Sequence, residues 1–212
     1  MVDSVAITLL RHGLTEANER KAYLGWTDSP LSMKGKKDIQ ELKHLYPTYE
    51  RIHTSDLGRC TETLRQLFPN IFIVKNPSFR EMNFGSWEGR TYDELKTNAE
   101  YQKWLENPMV AEVPKGESYP EFSRRVQDGW IQLTASEDGH SYALMTHAGV
   151  IRELLSCYAP MEKPFWDWSI PHAMGYELIW DNRESLRRGE RCTLLQAVPI
   201  MGKQNGQSDS MV

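Results

Sequence analysis

Cysteine is scarce in this 212-residue chain: Cys60, Cys157 and Cys192 stand far apart, with no C-x-x-C pair. A zinc knuckle and a thioredoxin-like redox motif are thereby excluded, and a reduced, cytoplasmic setting is expected. Long apolar runs are missing too. The opening stretch Val5 to Leu10 is interrupted by Arg11, too short for a secretory signal or a membrane span, so no membrane partner is expected. There is no basic block: 25 Lys+Arg against 29 Asp+Glu leave a net charge of −4. Nucleic acid and anionic lipid are poor partners for such a surface. An HExxH motif, a carboxylate cluster at metal-ligand spacing and a Walker A loop are all lacking. No metal and no cofactor are therefore expected, and nucleotide-dependent kinase chemistry is disfavoured.

What is there is globular composition, 40% hydrophobic and 25% charged, which excludes disorder over most of the chain. The length suits one domain, read as residues 1–201, with 83–118 an elaboration within it. The polar, aperiodic stretch 202–212 is expected to be a disordered tail.

Periodicity alternates between strand and helix. Strands are expected at Val5–Leu10, Arg51–His53, Ile71–Val74, Tyr142–Met145, Tyr176–Trp180 and Leu194–Val198. Helices are expected over 33–46, from Ser55 to near Pro69, after Ser118, and over Val150–Tyr158. Ser118 and Glu121 form a capping box, with Pro120 in the first turn where its missing N–H is harmless. The Gly- and Trp-rich stretch Glu81–Arg90 reads as irregular. This alternation predicts an α/β fold, a three-layer sandwich with a mostly parallel central sheet and helices on both faces.

Two of these strands end alike, in Arg11-His12-Gly13 and in Thr146-His147-Ala148-Gly149. Ligands of open parallel sheets bind beyond the carboxyl ends of strands, and Gly13 and Gly149 would let the backbone approach one closely. A lone histidine after a strand is more often structural. Here it is joined by a second, by Arg59 early in a helix after another strand, and by Glu81 ahead of Phe84-Gly85-Ser86-Trp87-Glu88-Gly89. Two guanidiniums, two imidazoles and one carboxylic acid are thus expected at one place. His44, His53, His140 and His172 lack the strand-end glycine and are expected to be structural or exposed. Cys60 is assigned to helix packing, Glu88 to structure, and Arg124 and Arg125 to a solvated helix face.

Five segments in order, LLRHGLTEAN, LGWTDSPLSMKG, HTSDLGRCTETL, REMNFGSWEG and MTHAGVIRELL, resemble the histidine phosphatase superfamily, with its phosphoglycerate mutase-like fold. The resemblance implies that His12 is the nucleophile and that Arg11, Arg59 and His147 hold the phosphoryl group. It places Glu81 in the acid/base position and Asn18 near the bound phosphate, with Gly25, Trp26 and Thr27 also on the substrate. His12 would attack through a neutral nitrogen, its other nitrogen donating to a backbone carbonyl. Nearby cations would disfavour its imidazolium form. A metal-independent phosphomonoester hydrolase is implied, acting on a small phosphorylated metabolite. The stretch Tyr101–Arg125 looks like phosphatases of α-ribazole phosphate and their broad-specificity relatives. The short chain favours hydrolysis over a phosphoglycerate mutase-type transfer; a non-catalytic phospho-ligand binder is the third reading. Trp26, Trp87, Trp104, Trp166 and Trp168 could wall a leaving-group pocket, although any one of them alone reads as core packing. Residues 165–172 have no assigned role, and monomer and homodimer are both open.

Overall fold

The structure, a computed structural model, describes residues 3–199; the tail expected over 202–212 lies outside them. In chain order the elements are β1 (Val5–Arg11), α1 (Glu16–Glu19), α2 (Met33–Leu42), β2 (Arg51–Thr54), α3 (Gly58–Leu67), β3 (Ile73–Lys75), α4 (Tyr92–Leu95), α5 (Ala99–Glu106), α6 (Tyr119–Ser136), β4 (Ser141–Thr146), α7 (Ala148–Tyr158), β5 (Gly175–Trp180), α8 (Arg183–Arg187) and β6 (Leu194–Val198). They build a mostly parallel sheet in the order β3-β2-β4-β1-β5-β6. Strands β1 to β4 pair in parallel, while β5 runs antiparallel to both β1 and β6.

Successive side chains of a strand face opposite sides, and the buried residues sort accordingly. Val5, Ile7, Leu9, Tyr142 and Leu144 join one apolar cluster with Phe122, Val126 and Trp130 of α6 and Ile151 and Leu155 of α7. Leu10, Ile52, Ala143 and Met145 face a second cluster with Ile39 and Leu42 of α2 and Cys60, Leu64 and Leu67 of α3. These are the two outer layers. The fully buried Trp130 alone would cost about 3–5 kcal/mol on truncation to alanine.

Local sequence explains most helix ends. The Ser118/Glu121 capping box opens α6, with Pro120 inside its first turn. Helix α3 starts three residues later than the sequence suggests, at Gly58, because its cap is remote: the Asp28 carboxylate accepts from Gly58 N at 2.5 Å and Arg59 N at 3.2 Å. Residues 83–118 contain α4 and α5, capped by Thr91 and Asn98. Among the described residues no helix is long and apolar enough to cross a membrane.

Candidate active site

Strand register builds the site. Arg11 pairs with Thr146, and Thr54 with Met145, so β1, β4 and β2 end side by side. His12 and His147 each follow one residue beyond, and their ring centroids lie 5.2 Å apart. The His12 ring is buried. Its Nδ1–H donates to the Gly13 carbonyl at 2.7 Å, which leaves Nε2 with a free lone pair. Burial first, then Arg59 and Arg11, pushes the His12 pKa well below the ordinary imidazole value. His147 is shifted the same way, again chiefly by burial, with Arg59 and His12 adding. The Ser55 hydroxyl lies 2.9 Å from His147 Nε2 and the Cys60 thiol 3.6 Å. With Ser55 donating to Nε2, the proton of His147 sits on Nδ1.

Arg59 sits in the first turn of α3 with its side chain fully buried. Nη2 donates to Gly25 O at 2.6 Å, and Nη1 to Thr27 O at 3.1 Å and to Asp28 at 3.5 Å. Arg11 donates from Nη1 to Ile170 O at 2.7 Å. Burial lowers its pKa to about 10, Glu81 opposing and Arg152 and Arg59 assisting. Arg11 Nε, Arg59 Nε and His147 Nδ1 are buried without a protein partner; the other such atoms among the described residues are tyrosine hydroxyls and tryptophan indoles. Burying a cationic donor unpaired is costly. Two guanidiniums and an imidazole N–H in this condition around His12 match an anion that accepts several hydrogen bonds.

Glu81 is held by both oxygens: Oε1 accepts from Met82 N at 3.0 Å and Oε2 from Gly149 N at 2.9 Å, at the start of α7. Gly149 is therefore required for a reason other than ligand approach. A Cβ there would fall inside contact distance of Glu81 Oε1 and 3.0 Å from its Cδ. The N-terminus of α3 is likewise spent on Asp28, and that of α7 serves the site through Glu81.

Gly25, Trp26 and Thr27 surround the site as its supports. The carbonyls of Gly25 and Thr27 hold Arg59, and the Trp26 indole donates to Glu81 O at 2.9 Å. Glu88 fastens this loop by accepting from Trp26 N at 2.6 Å and from Thr27 N.

Two expectations need correction. Arg125 is not on a solvated face. Its Nε and Nη2 each donate to Glu117 at 2.7 Å, Nη1 donates to Ser78 O and Arg80 O, and Nη2 also to Glu81 O at 3.2 Å. The backbone of 78–81, distant in sequence, crosses α6 at this point. Glu117 precedes the Ser118 cap of α6, so no helical spacing signalled its pairing with Arg125. His172 is the second correction. It is half-buried, its ring centroid 5.8 Å from that of His12, and its Nε2 lies 3.2 Å from Asn18 Oδ1. Burial and Arg11 push its pKa down to about 3. The strand-end pattern missed it because β5 is antiparallel, so the turn preceding β5 reaches the rim where β1 ends. His44 and His140 are exposed, and His53 is buried against Glu137, away from the site.

Of the five tryptophans expected as possible pocket walls, Trp87, Trp104 and Trp168 are buried, whereas Trp26 and Trp166 are partly exposed. A pocket beside Glu81 and Gly149 is walled by Phe84, Trp104, Phe122, Phe165 and Trp166, with Arg152 as a cation at its edge. The segment 165–172 is thus part of the site: Ile170 O holds Arg11, and Trp168 O accepts from Arg152 Nε at 3.2 Å. Among the described residues no cluster of three His, Cys, Asp or Glu could hold a metal ion.

The profile of the Histidine phosphatase superfamily (branch 1) matches residues 7–187. The adenosylcobalamin/alpha-ribazole phosphatase of Salmonella typhimurium (strain LT2) is 32% identical over 154 residues, 70% of this chain and 76% of that protein. The crystal structure of the alpha-ribazole phosphatase from Shigella flexneri superposes with a TM-score of 0.76 at 25% identity, covering 82% of this chain and 90% of that one. That of the phosphoglycerate mutase from Thermus thermophilus gives 0.66 at 25% identity, covering 92% and 99%. With the family matched over residues 7–187, the chain belongs to the histidine phosphatase superfamily.

Proposed function

We propose that the site hydrolyses phosphomonoesters through a covalent phosphohistidine. The observation that carries this is the His12 ring, pinned through Nδ1 to Gly13 O and held neutral beside Arg11 and Arg59. The Nε2 lone pair attacks phosphorus, the bond to the ester oxygen breaks, and the departing alkoxide takes a proton from Glu81. Arg11, Arg59 and His147 stabilise the oxygens of the transferring group, which carries most of two negative charges. Asn18 adds an amide donor. Water then gives a proton to Glu81 and attacks phosphorus. The N–P bond breaks, its electron pair returns to Nε2, and inorganic phosphate leaves.

The aromatic pocket next to Glu81 lies on the side where the alcohol departs and favours one carrying an apolar ring. α-Ribazole phosphate, a substrate named for relatives of this chain, is a candidate, as is a broader range of small phosphorylated metabolites in the cytoplasm. Phosphate release from p-nitrophenyl phosphate in the presence of EDTA tests the reading. His12→Ala should abolish release while circular dichroism stays native, and an acid-labile adduct should be trapped only with His12 present. Full activity in that variant overturns the proposal. Turnover that depends strictly on a bisphosphorylated primer would replace hydrolysis by mutase-type transfer.

A further inference from the structure

We propose that His172 is a positioning residue that locks the Asn18 carboxamide, so that the Asn18 amide nitrogen faces the transferring phosphoryl group. The inference rests on the phosphatase reading and adds a residue to its machinery. Asn18 Oδ1 receives three donors: Thr15 N at 3.4 Å, the Thr15 hydroxyl at 2.9 Å and His172 Nε2 at 3.2 Å. An oxygen so occupied is turned away from an anion, and the opposite end of the amide, Nδ2, carries the two N–H groups left to donate. Because Oδ1 only accepts, the proton of His172 lies on Nε2. That is the opposite tautomer to His12, whose proton lies on Nδ1.

The backbone shows that this placement is imposed. Pro171 to Met174 form a turn closed by Met174 N donating to Pro171 O at 3.3 Å. Its third residue, Ala173, has φ +56°, a left-handed conformation that favours glycine. Left-handed alanine persists only where its surroundings over-determine it. Here Ala173 N donates to His12 O at 3.1 Å, Arg11 N donates to Met174 O at 2.8 Å, and the Tyr46 hydroxyl donates to Ala173 O. The turn that aims His172 at Asn18 is thus tied to the end of β1 that carries Arg11 and His12.

A double-mutant cycle tests the proposal, read as kcat/KM on p-nitrophenyl phosphate and as the inhibition constant of inorganic phosphate. His172→Ala should lower kcat/KM and weaken phosphate inhibition about tenfold, the scale of one hydrogen bond to a charged group. His172→Gln, which keeps a donor for Oδ1, should recover most of the loss; it also serves if the alanine variant folds poorly. The double variant His172→Ala/Asn18→Ala should match Asn18→Ala within about twofold, since a residue acting through Asn18 has nothing left to position. Multiplicative losses overturn the proposal, as does normal phosphate inhibition in His172→Ala or in Asn18→Ala. Each of these leaves hydrolysis through His12 intact, which His12→Ala tests separately.

Discussion

Gly149→Ala isolates the contribution of the Glu81 carboxylate without removing it. Residue 149 lies in the first turn of α7, where alanine is a better helix former than glycine by about 1 kcal/mol. Backbone preference alone would leave the fold unharmed. The added methyl, however, meets Glu81 Oε1 inside contact distance and Cδ at 3.0 Å. The carboxylate must swing away on the order of 1 Å, and such misplacement of a reacting group costs about 10²-fold. The loss falls on the step that needs a proton. Alkyl phosphates, with poor leaving groups, should lose about 10²-fold in kcat/KM, while 2,4-dinitrophenyl phosphate, whose phenolate leaves unaided, should change less than about threefold. Thermal unfolding run alongside should show an unchanged or higher Tm. Equal losses on both esters would show that residue 149 acts on the phosphate site rather than through Glu81. Unaltered alkyl ester turnover would refute Glu81 as the proton donor in this geometry.

Arg125→Ala removes the guanidinium bonds to Ser78 O, Arg80 O and Glu81 O and leaves Glu117 without its ion-pair partner. It should reproduce the leaving-group pattern of Gly149→Ala but, unlike it, lower the Tm; a variant with full alkyl ester activity would show that the clamp is dispensable. Stability should also fall in acid. His12 and His147 have folded pKa values well below the imidazole value of the unfolded chain. Below about pH 6.5 the unfolded chain therefore takes up protons that the folded one refuses, at a cost of up to about 1.4 kcal/mol per pH unit for each ring. The stabilisation is complete above that pH and is lost on descending from it. His12→Ala, measured by Tm between pH 7.5 and 5, should flatten the dependence; an unchanged slope would mean the ring titrates normally.

Local signals were legible in the sequence, and remote ones were not. The apolar run ending in Arg11-His12-Gly13, the Ser118/Glu121 box and the helical faces of α6 and α7 depend on neighbours within a turn or a strand, and the structure has them where the pattern put them. Asp28 capping α3, Arg125 gripping 78–81 and His172 meeting Asn18 join residues 30 to 154 positions apart. No periodicity encodes such pairs. The direction of β5 is a case of the same kind: its alternation reads alike either way, and only the sheet decides it.

That reversed strand also bears on how substrate preference could be altered. The backbone leading into β5 carries Phe165 and Trp166 on the pocket wall and, four residues past Trp166, the carbonyl on which Arg11 rests. Reshaping this stretch to admit a bulkier alcohol therefore pulls on Arg11, a cation that the proposed mechanism sets against phosphorus-bound oxygen. Selectivity could be retuned more safely at Phe84 or Trp104, lining residues outside the stretch that holds Arg11.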